Sequence, residues 1–309
     1  MADARSTLAA VLNMGDANIA FEVSDLLEDT PLLAAMAAVP SSHGHTHKYL
    51  KKTVAAGAGF RALGSGISNA AAQIALTTQT LKFLDASWED DVILGKSMST
   101  SKGGMQAYAE ARTMDSTKAA FVGLEKQFIY GDQAPGSTGG FEGIADEIAA
   151  AMIVNKGGTT ADVQTSVYLI RTGPTDAAAV YNSDDGGLID VGDVRRERKA
   201  DTNGNPLDIF RCPIESYLTL QAGNQFSLGR IANIETALDD DDLADAFSKF
   251  PAGQKPNIIA MNRVALKLLR QSRTATNVTG APAPFPTEWE GIPIIVTDQI
   301  VSTEAVYTP

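Results

Sequence analysis

Cysteine, histidine and cationic charge are all scarce in this chain, and each scarcity closes a class of function. A single cysteine, Cys212, among 309 residues cannot form an intrachain disulfide, which excludes a stapled secreted scaffold. Three histidines are present, all within His43-Gly44-His45-Thr46-His47, so none is left elsewhere to serve as a general base. Lys and Arg number 25 against 37 Asp and Glu, for a net charge of -12 and an isoelectric point near 4.7. That balance argues against a surface that grips nucleic acid, which needs clustered cations on one face. It remains compatible with a wall that sits beside nucleic acid and repels it. No apolar run approaches the ~20 residues of a membrane span. The opening Met1-Ala2-Asp3-Ala4-Arg5 lacks the basic-then-apolar pattern of a signal peptide. The expectation is a soluble protein made in the cytoplasm, with no membrane partner.

Enzymatic signatures are missing too. There is no G-x-S-x-G, and Cys212 is followed by Pro213 in a strand-like context that suits an inert side chain better than a nucleophile. Gly57-Ala58-Gly59 is not followed by a helix carrying Lys-Ser or Lys-Thr, so neither a P-loop nor a dinucleotide fingerprint is formed. The three histidines would share one face of an extended chain, as metal ligands can. No cysteine lies nearby and nothing local supplies a fourth ligand, so a polar loop is the better reading. Asp239-Asp240-Asp241-Asp242 lacks the alternating spacing and closing Glu of a calcium loop and reads as a helix N-cap. Asp184-Asp185-Gly186-Gly187 reads as a turn, and Arg195-Arg196-Glu197-Arg198-Lys199 as a solvated charged strand or loop. No catalytic residue, metal site or cofactor is expected.

What the chain does contain is 44% hydrophobic residues, enough for a packed core. Short amphipathic stretches at 3–14 and 19–27, then Leu32–Met36, read as an arm that lies on something rather than as the start of a sheet. Lys48–Asp91 is strand-like yet poor in core residues. Its β-branched and alternating segments flank a Gly-rich bend, which predicts a two-stranded arm. A lone hairpin is marginal in water, so such an arm makes sense if another chain completes it. Apolar residues then recur at helical spacing from Ala107 to Phe128, which predicts a helix from about Lys102 to Tyr130 that packs along one stripe and stops at Gly131. At ~1.5 Å per residue that helix is roughly 40 Å long. Phe141–Val154 reads as another short helix, with Ile144, Ile148 and Met152 on its face. Strands are predicted at Val167–Ile170, Ala178–Tyr181, Ile209–Phe210, Tyr217–Leu220, Leu228–Ile234, Asn257–Met261 and Gly291–Val296. Helices are predicted after Asp239 and over Asn262–Gln271. The mix is α+β.

This order of elements resembles the major capsid proteins of tailed bacteriophages, those with the Hong Kong 97-type fold. The likeness is carried by the arm, loop and long-helix order, and by short segments. Among these are His45-Thr46-His47-Lys48-Tyr49, Phe128-Ile129-Tyr130-Gly131-Asp132, Phe141-Glu142-Gly143-Ile144, Arg230-Ile231-Ala232-Asn233-Ile234 and Trp289-Glu290-Gly291-Ile292-Pro293. The strand-like segments crowd between Val167 and Ile234, whereas many relatives place further strands after the Gly-Ile-Pro segment. The resemblance implies a Hong Kong 97-like capsid fold with an N-terminal arm (1–47), an extended β-hairpin loop (48–95), a peripheral domain with the spine helix (96–235) and an axial domain (236–309). It implies a structural shell subunit that self-assembles into pentamers and hexamers around double-stranded DNA, without sequence-specific binding, and that resides in the virion. It further implies scaffolding, portal and decoration partners, the scaffold being a separate protein. The residues expected to contact neighbours are Val54, Phe60, Arg61, Leu63, Ile74, Leu76 and Leu81. Two other readings are a cargo-holding nanocompartment shell of the same fold and a metal-dependent enzyme built on His43–His47.

Overall fold

The structure, a computed structural model, describes residues 29–54, 56–66, 69–97, 104–131, 139–182, 188–275 and 282–308. The helices expected at 3–14 and 19–27, and the turn at Asp184–Gly187, lie outside these residues.

The chain enters through a one-turn helix, α1 (Pro31–Ala35), and a short strand, β1 (Ala37–Pro40). A hairpin follows, β2 (Thr46–Val54) and β3 (Gln73–Thr80), then β4 (Lys82–Asp85) and β5 (Trp88–Asp91). Helix α2 (Val92–Ser97) precedes the long helix α3 (Gly104–Tyr130). After a turn of helix, α4 (Ile144–Glu147), the chain becomes mostly strand. The strands are β6 (Ile153–Asn155), β7 (Thr165–Ile170), β8 (Ala177–Tyr181), β9 (Asp190–Val191), β10 (Arg195–Ala200), β11 (Pro206–Cys212), β12 (Ile214–Ala222) and β13 (Leu228–Ile234). Helix α5 (Asp240–Ser248), β14 (Ile258–Met261), α6 (Arg263–Ala275), β15 (Glu288–Trp289) and β16 (Ile292–Val296) complete it.

These strands form four sheets. One has the order β1-β8-β12-β4, with β9 also on β12; the second is β10-β11-β5; the third is β15-β16-β14-β7-β13-β6; the fourth is the β2-β3 hairpin. Strand β7 is buried at every position, as are β14 and nearly all of β13, which is why these segments read as continuous apolar runs rather than alternations.

Helix α3 is the beam between two cores. Its stripe of Leu124, Phe128 and Ile129 sits in the main core with β7, β13 and β14. Its other half passes a smaller cluster of Trp88, Cys212 and Ile214, with Ala109 packed against it. Gly131 ends the helix with φ +60°, the left-handed conformation that glycine adopts at no steric cost. A Cβ there would lie 2.2 Å from the backbone N of Gly143, so both positions need glycine for the two backbones to pass.

Two expectations are corrected. The segment after α1 does start a sheet: β1 pairs in parallel with β8, and Leu32, Leu33 and Met36 are buried in the main core. Pro40 is tolerated because it ends an edge strand, where a missing N–H leaves no ladder bond unmade. The helix expected over Phe141–Val154 is one turn of α4, a 3₁₀ turn at Ala150–Met152 and β6. Ile144, Ile148 and Met152 are buried as their spacing suggested, but Ile148 turns extended (ψ 123°) and the chain leaves to pair with β13. Strand pairing runs across residues 95 and 235. Strands β4 and β5 pair with β12 and β11, while β7 and β13, before 235, share a sheet with β14 and β16 beyond it.

Buried polar groups tie the beam down. Glu125 of α3 is fully buried and accepts a hydrogen bond from the Leu33 N–H at 3.0 Å and another from the Thr297 hydroxyl. At the end of α3, the Tyr130 hydroxyl donates to Glu304 (2.6 Å), which also receives Ser166 (2.5 Å) and Arg230 (2.9 Å). The Asp239–Asp242 run is an N-cap, as its sequence suggested: the Asp239 carboxylate accepts from the Asp242 N–H (2.9 Å) and Asp242 returns the bond (3.0 Å) in a capping box.

Burial raises the Glu125 pKa above its ordinary 4.5, partly offset by the Thr297, Leu33 and Leu32 hydrogen bonds. A carboxyl whose folded pKa is raised holds its proton longer in the folded state. Stability is therefore full below the ordinary Glu value and falls as pH rises through the folded one. The substitution Glu125→Gln is expected to flatten this slope above about pH 4.5, and denaturant melts across that range measure it; an unchanged slope would assign the titration to another group.

Candidate intersubunit surface

The hairpin lies on the first sheet by one face only. Its register pairs Leu50 with Leu76, Tyr49 with Thr77 and Lys52 with Ile74. Because side chains alternate across a strand, His47, Tyr49, Lys51, Thr77 and Gln79 point toward the body while Lys48, Leu50, Lys52, Ile74 and Leu76 point away.

The inward face is polar. The buried His47 donates through Nε2 to the Gln221 carbonyl oxygen at 2.7 Å, a tautomer fixed by Gln221, whose own amide donates to the Pro174 carbonyl at 2.9 Å. The Gln79 carbonyl oxygen accepts from the Thr219 hydroxyl (2.8 Å), and its amide donates to Glu147 (3.1 Å). Lys51 donates to the other Glu147 oxygen at 2.5 Å. The Tyr49 hydroxyl accepts from the Ala222 N–H (3.5 Å), and its pKa is pushed up to about 12, chiefly by burial and then by the Glu147 charge. These contacts reach along β12 as far as an isolated bridge between Lys52 and Asn224.

Beyond that bridge no hydrogen bond or ion pair joins the described residues of the hairpin to the body of their own chain, and the outward face is bare along its length. Leu50, Ile74 and Leu76 are 66%, 58% and 65% exposed. At the tip, Phe60 and Leu63 are wholly exposed. The tip is shaped by local bonds: Gly57 N–H to the Ala70 carbonyl (2.9 Å), Ser65 N–H to the Ala62 carbonyl (3.1 Å) and Arg61 Nη1 to the Ser65 carbonyl (2.9 Å).

Of the residues expected to face a neighbour, Val54, Phe60, Arg61, Leu63, Ile74 and Leu76 are exposed on this hairpin. Leu81 is not: it is 5% exposed, placed where the chain leaves the hairpin to enter β4, and its side chain is used within its own fold. Leu50, which was not among the expected residues, is exposed on the same outward face. Its alternation with Lys48 and Lys52 is the signal that places it on the outward face opposite Leu76.

The three histidines do not converge. His43 and Thr46 exchange backbone bonds across Gly44 (φ +56°), so the segment is a tight turn rather than an extended strand. His43 meets the Ser42 hydroxyl at 2.9 Å, His45 lies 4.7 Å from the Tyr217 ring and His47 is buried at Gln221. Among the described residues no group of three or more His, Cys, Asp or Glu is placed to hold a metal ion. Cys212 is fully buried, with its thiol donating to the Gly192 carbonyl at 3.2 Å. Arg195–Lys199 is the solvated strand β10, exposed throughout and laced to Asp208 and Glu89. Beside it an open cleft of about 340 Å³ is lined by Asp190, Glu197, Glu215, Arg195 and Arg211. No described helix is long and apolar enough to cross a membrane.

Comparison with known proteins places this geometry. A family model described as major capsid protein GP7 matches residues 15–308. The structure of bacteriophage Epsilon15 superposes with a TM-score of 0.71 at 18% identity, covering 100% of this chain and 99% of that one. The capsid of bacteriophage JBD30 superposes at 0.51 with 8% identity, covering 93% of this chain and 97% of the other. No curated protein matches in sequence.

The polar root of the hairpin is itself testable. The substitution Glu147→Ala removes the acceptor for both Lys51 and Gln79. It is expected to cost about 1–2 kcal/mol and to speed amide exchange in residues 46–54 and 73–80 over the rest of the chain. Unchanged protection of both strands would show that the root is held by other contacts.

Proposed function

Because this chain belongs to the major capsid protein GP7 family, it is a structural subunit of a phage capsid, and we propose that its hairpin is the part that ties one subunit to the next. The role is that of shell protein in the virion, not enzyme. In this reading, copies of the chain form fivefold and sixfold rings of an icosahedral shell around double-stranded DNA. The tip at 55–72 and the outward row of Leu50, Ile74 and Leu76 lie across a neighbour. The protruding unit is best drawn as 46–80, since β4 and β5 belong to the body sheets.

One observation carries the reading. Phe60 and Leu63 are wholly exposed at the end of a ribbon that no other part of the described chain covers. Fully burying a Phe or Leu side chain is worth about 1.5–3 kcal/mol, and that gain is available here only from another molecule. Interfaces completed by an exchanged arm are large and obligate-like. The acidic balance of -12 suits an inner wall that holds DNA without gripping it. Scaffolding, portal and decoration proteins remain the partners that the family reading implies. Family membership favours the phage shell over a nanocompartment, and the nucleic-acid content of purified particles separates the two.

The double substitution Phe60→Ser, Leu63→Ser is expected to leave the melting temperature of the subunit unchanged, because neither side chain is buried in it. Closed particles should be lost in sedimentation and negative-stain microscopy. Normal yields of closed shells from this variant would sink the proposal.

A further inference from the structure

The segment after β16 is held by its charge. Of residues 301–308 only Glu304 is buried; Ser302, Thr303, Ala305 and Thr308 are exposed, and Val301, Val306 and Tyr307 are half-buried. Carboxylates are among the side chains least often buried, and then only when paired. Here the usual order is inverted: the charged residue is the anchor, and no apolar side chain of the segment is fully buried. This strap has no helix or strand of its own, only an isolated bridge from Glu304 to Gln164.

The groups that receive this carboxylate all belong to regular elements elsewhere. Arg230 stands on β13, Ser166 on β7 and Tyr130 at the last position of α3. Arg230 donates through Nη2 to Glu304 Oε2 at 2.9 Å. Its Nε donates to the Ser166 hydroxyl at 2.9 Å, and that hydroxyl donates to the same Oε2 at 2.5 Å. Tyr130 donates to Oε1 at 2.6 Å. The guanidinium lies 5.6 Å from the centroid of the wholly buried Tyr168 ring and 5.7 Å from that of Tyr307, within cation–π range of both. Both carboxylate oxygens are thus met by charge-assisted bonds, the strong kind. Among the described residues Glu304 is the one ion-pair partner of Arg230. Burial, and then the neighbouring Tyr168 and Glu304, hold the Tyr130 hydroxyl above its ordinary pKa, so it remains a donor.

Three donors fixed by two strands and a helix converge on one point, and the acceptor that fills it comes from a segment without regular structure. That is the division between a preorganised receptor and its ligand. We propose that Arg230, Ser166 and Tyr130 form a carboxylate-binding site in their own right, for which Glu304 is the ligand supplied by the same chain. The rest of the strap orients that ligand. The Glu304 N–H donates to the Gln164 carbonyl (2.9 Å) and the Val301 N–H to the Tyr130 hydroxyl (2.9 Å). The Asn233 side chain takes both the N–H (2.7 Å) and the carbonyl (2.8 Å) of Tyr307. Because Tyr130 ends α3, a carboxylate in the site fixes the end of the long helix to β7 and β13. The donors recognise the carboxylate group itself, so a small free carboxylate takes the place of the Glu304 side chain when that side chain is removed. The site is independent of the hairpin and of its role between subunits.

Chemical rescue tests it. The full chain carrying Glu304→Ala is melted in sodium acetate and, at equal concentration, in sodium chloride or in acetamide. The truncation leaves a buried guanidinium uncompensated, so the melting temperature in chloride is expected to fall by roughly 5–10 °C. Acetate, the carboxylate fragment that the substitution removes, should restore more than half of that loss; chloride and the neutral acetamide should restore little. Two further variants tie the effect to the site. Glu304→Gln keeps the space filled, and Glu304→Ala combined with Arg230→Met removes the cation; neither should respond to acetate beyond its response to chloride. If Glu304→Ala does not purify folded, the same solutes are compared by refolding yield from denaturant. Recovery specific to acetate and to Glu304→Ala supports the site. Equal recovery in chloride, an equal acetate response in either control variant, or no acetate response at all overturns it.

Discussion

The packing of one stripe of α3 against two separate cores is the constraint on which the rest of the subunit depends. A helix of 27 residues outlasts any single core of this size, so its two halves meet different partners. Leu124, Phe128 and Ile129 close the main core. Tyr108 is buried beside the small cluster under the β10-β11-β5 sheet, where its hydroxyl donates to Asp90 at 2.6 Å and Arg112 donates to the same carboxylate at 2.9 Å. The two sheets are thereby fixed relative to each other by a rigid element rather than by a loop. Glu125 extends the constraint to the chain entry at Leu33 and to Thr297, and Tyr130 extends it to Glu304. Removing one partner of the buried Arg230–Glu304 pair would leave the other uncompensated, which is far costlier than losing a surface pair. The tail near Glu304 is thus fastened as firmly as any strand.

Much of this was legible in the sequence, and the parts that were not share a cause. The long helix, its glycine stop, the hairpin and most strands announced themselves by periodicity. The strand Leu228–Ile234 was readable to its ends, because it is apolar, of strand length and bounded by turn residues. Where the reading failed, tertiary contact overrode a local pattern. Ile144, Ile148 and Met152 recur every fourth residue and are all buried, yet one turn of helix suffices to bury the first before the backbone straightens to join β13. Ala37-Ala38-Val39-Pro40 carries almost no strand signal; it becomes a strand because β8 offers an edge of small residues, Ala177, Ala178 and Ala179. The pairing of β14 with β7 spans a long sequence separation, and only the folded sheet shows it.

The exposed hairpin was legible to a different degree. Sparse apolar residues between glycines correctly marked Phe60, Leu63, Ile74 and Leu76 as unburied in their own chain. Leu81 failed because it stands at the junction of hairpin and body, where neither composition nor alternation says which side claims it. The root of the hairpin was invisible as such, since it is held by Gln79, Gln221, His47, Lys51 and Glu147 rather than by an apolar pair. Polar partners of this sort are separated by up to 174 residues and leave no periodic trace.

That choice of attachment has a physical consequence. An apolar root would hold the ribbon by burial, a non-directional force that leaves its orientation loosely set. A root of hydrogen bonds holds it in one direction, and each bond contributes only about 0.5–1.5 kcal/mol net. Such a ribbon is oriented by its own subunit. The tip supplies the opposite kind of force: Phe60 and Leu63 gain only by burial, and no described residue of their own subunit covers them. The free chain therefore exposes Phe60 and Leu63 at the tip and Leu50, Ile74 and Leu76 along the outward face, apolar area of the size at which a patch marks an interaction site. On the proposed reading of the hairpin as the intersubunit tie, strength arises when many such tips are seated at once around a closed ring, as in any multivalent contact.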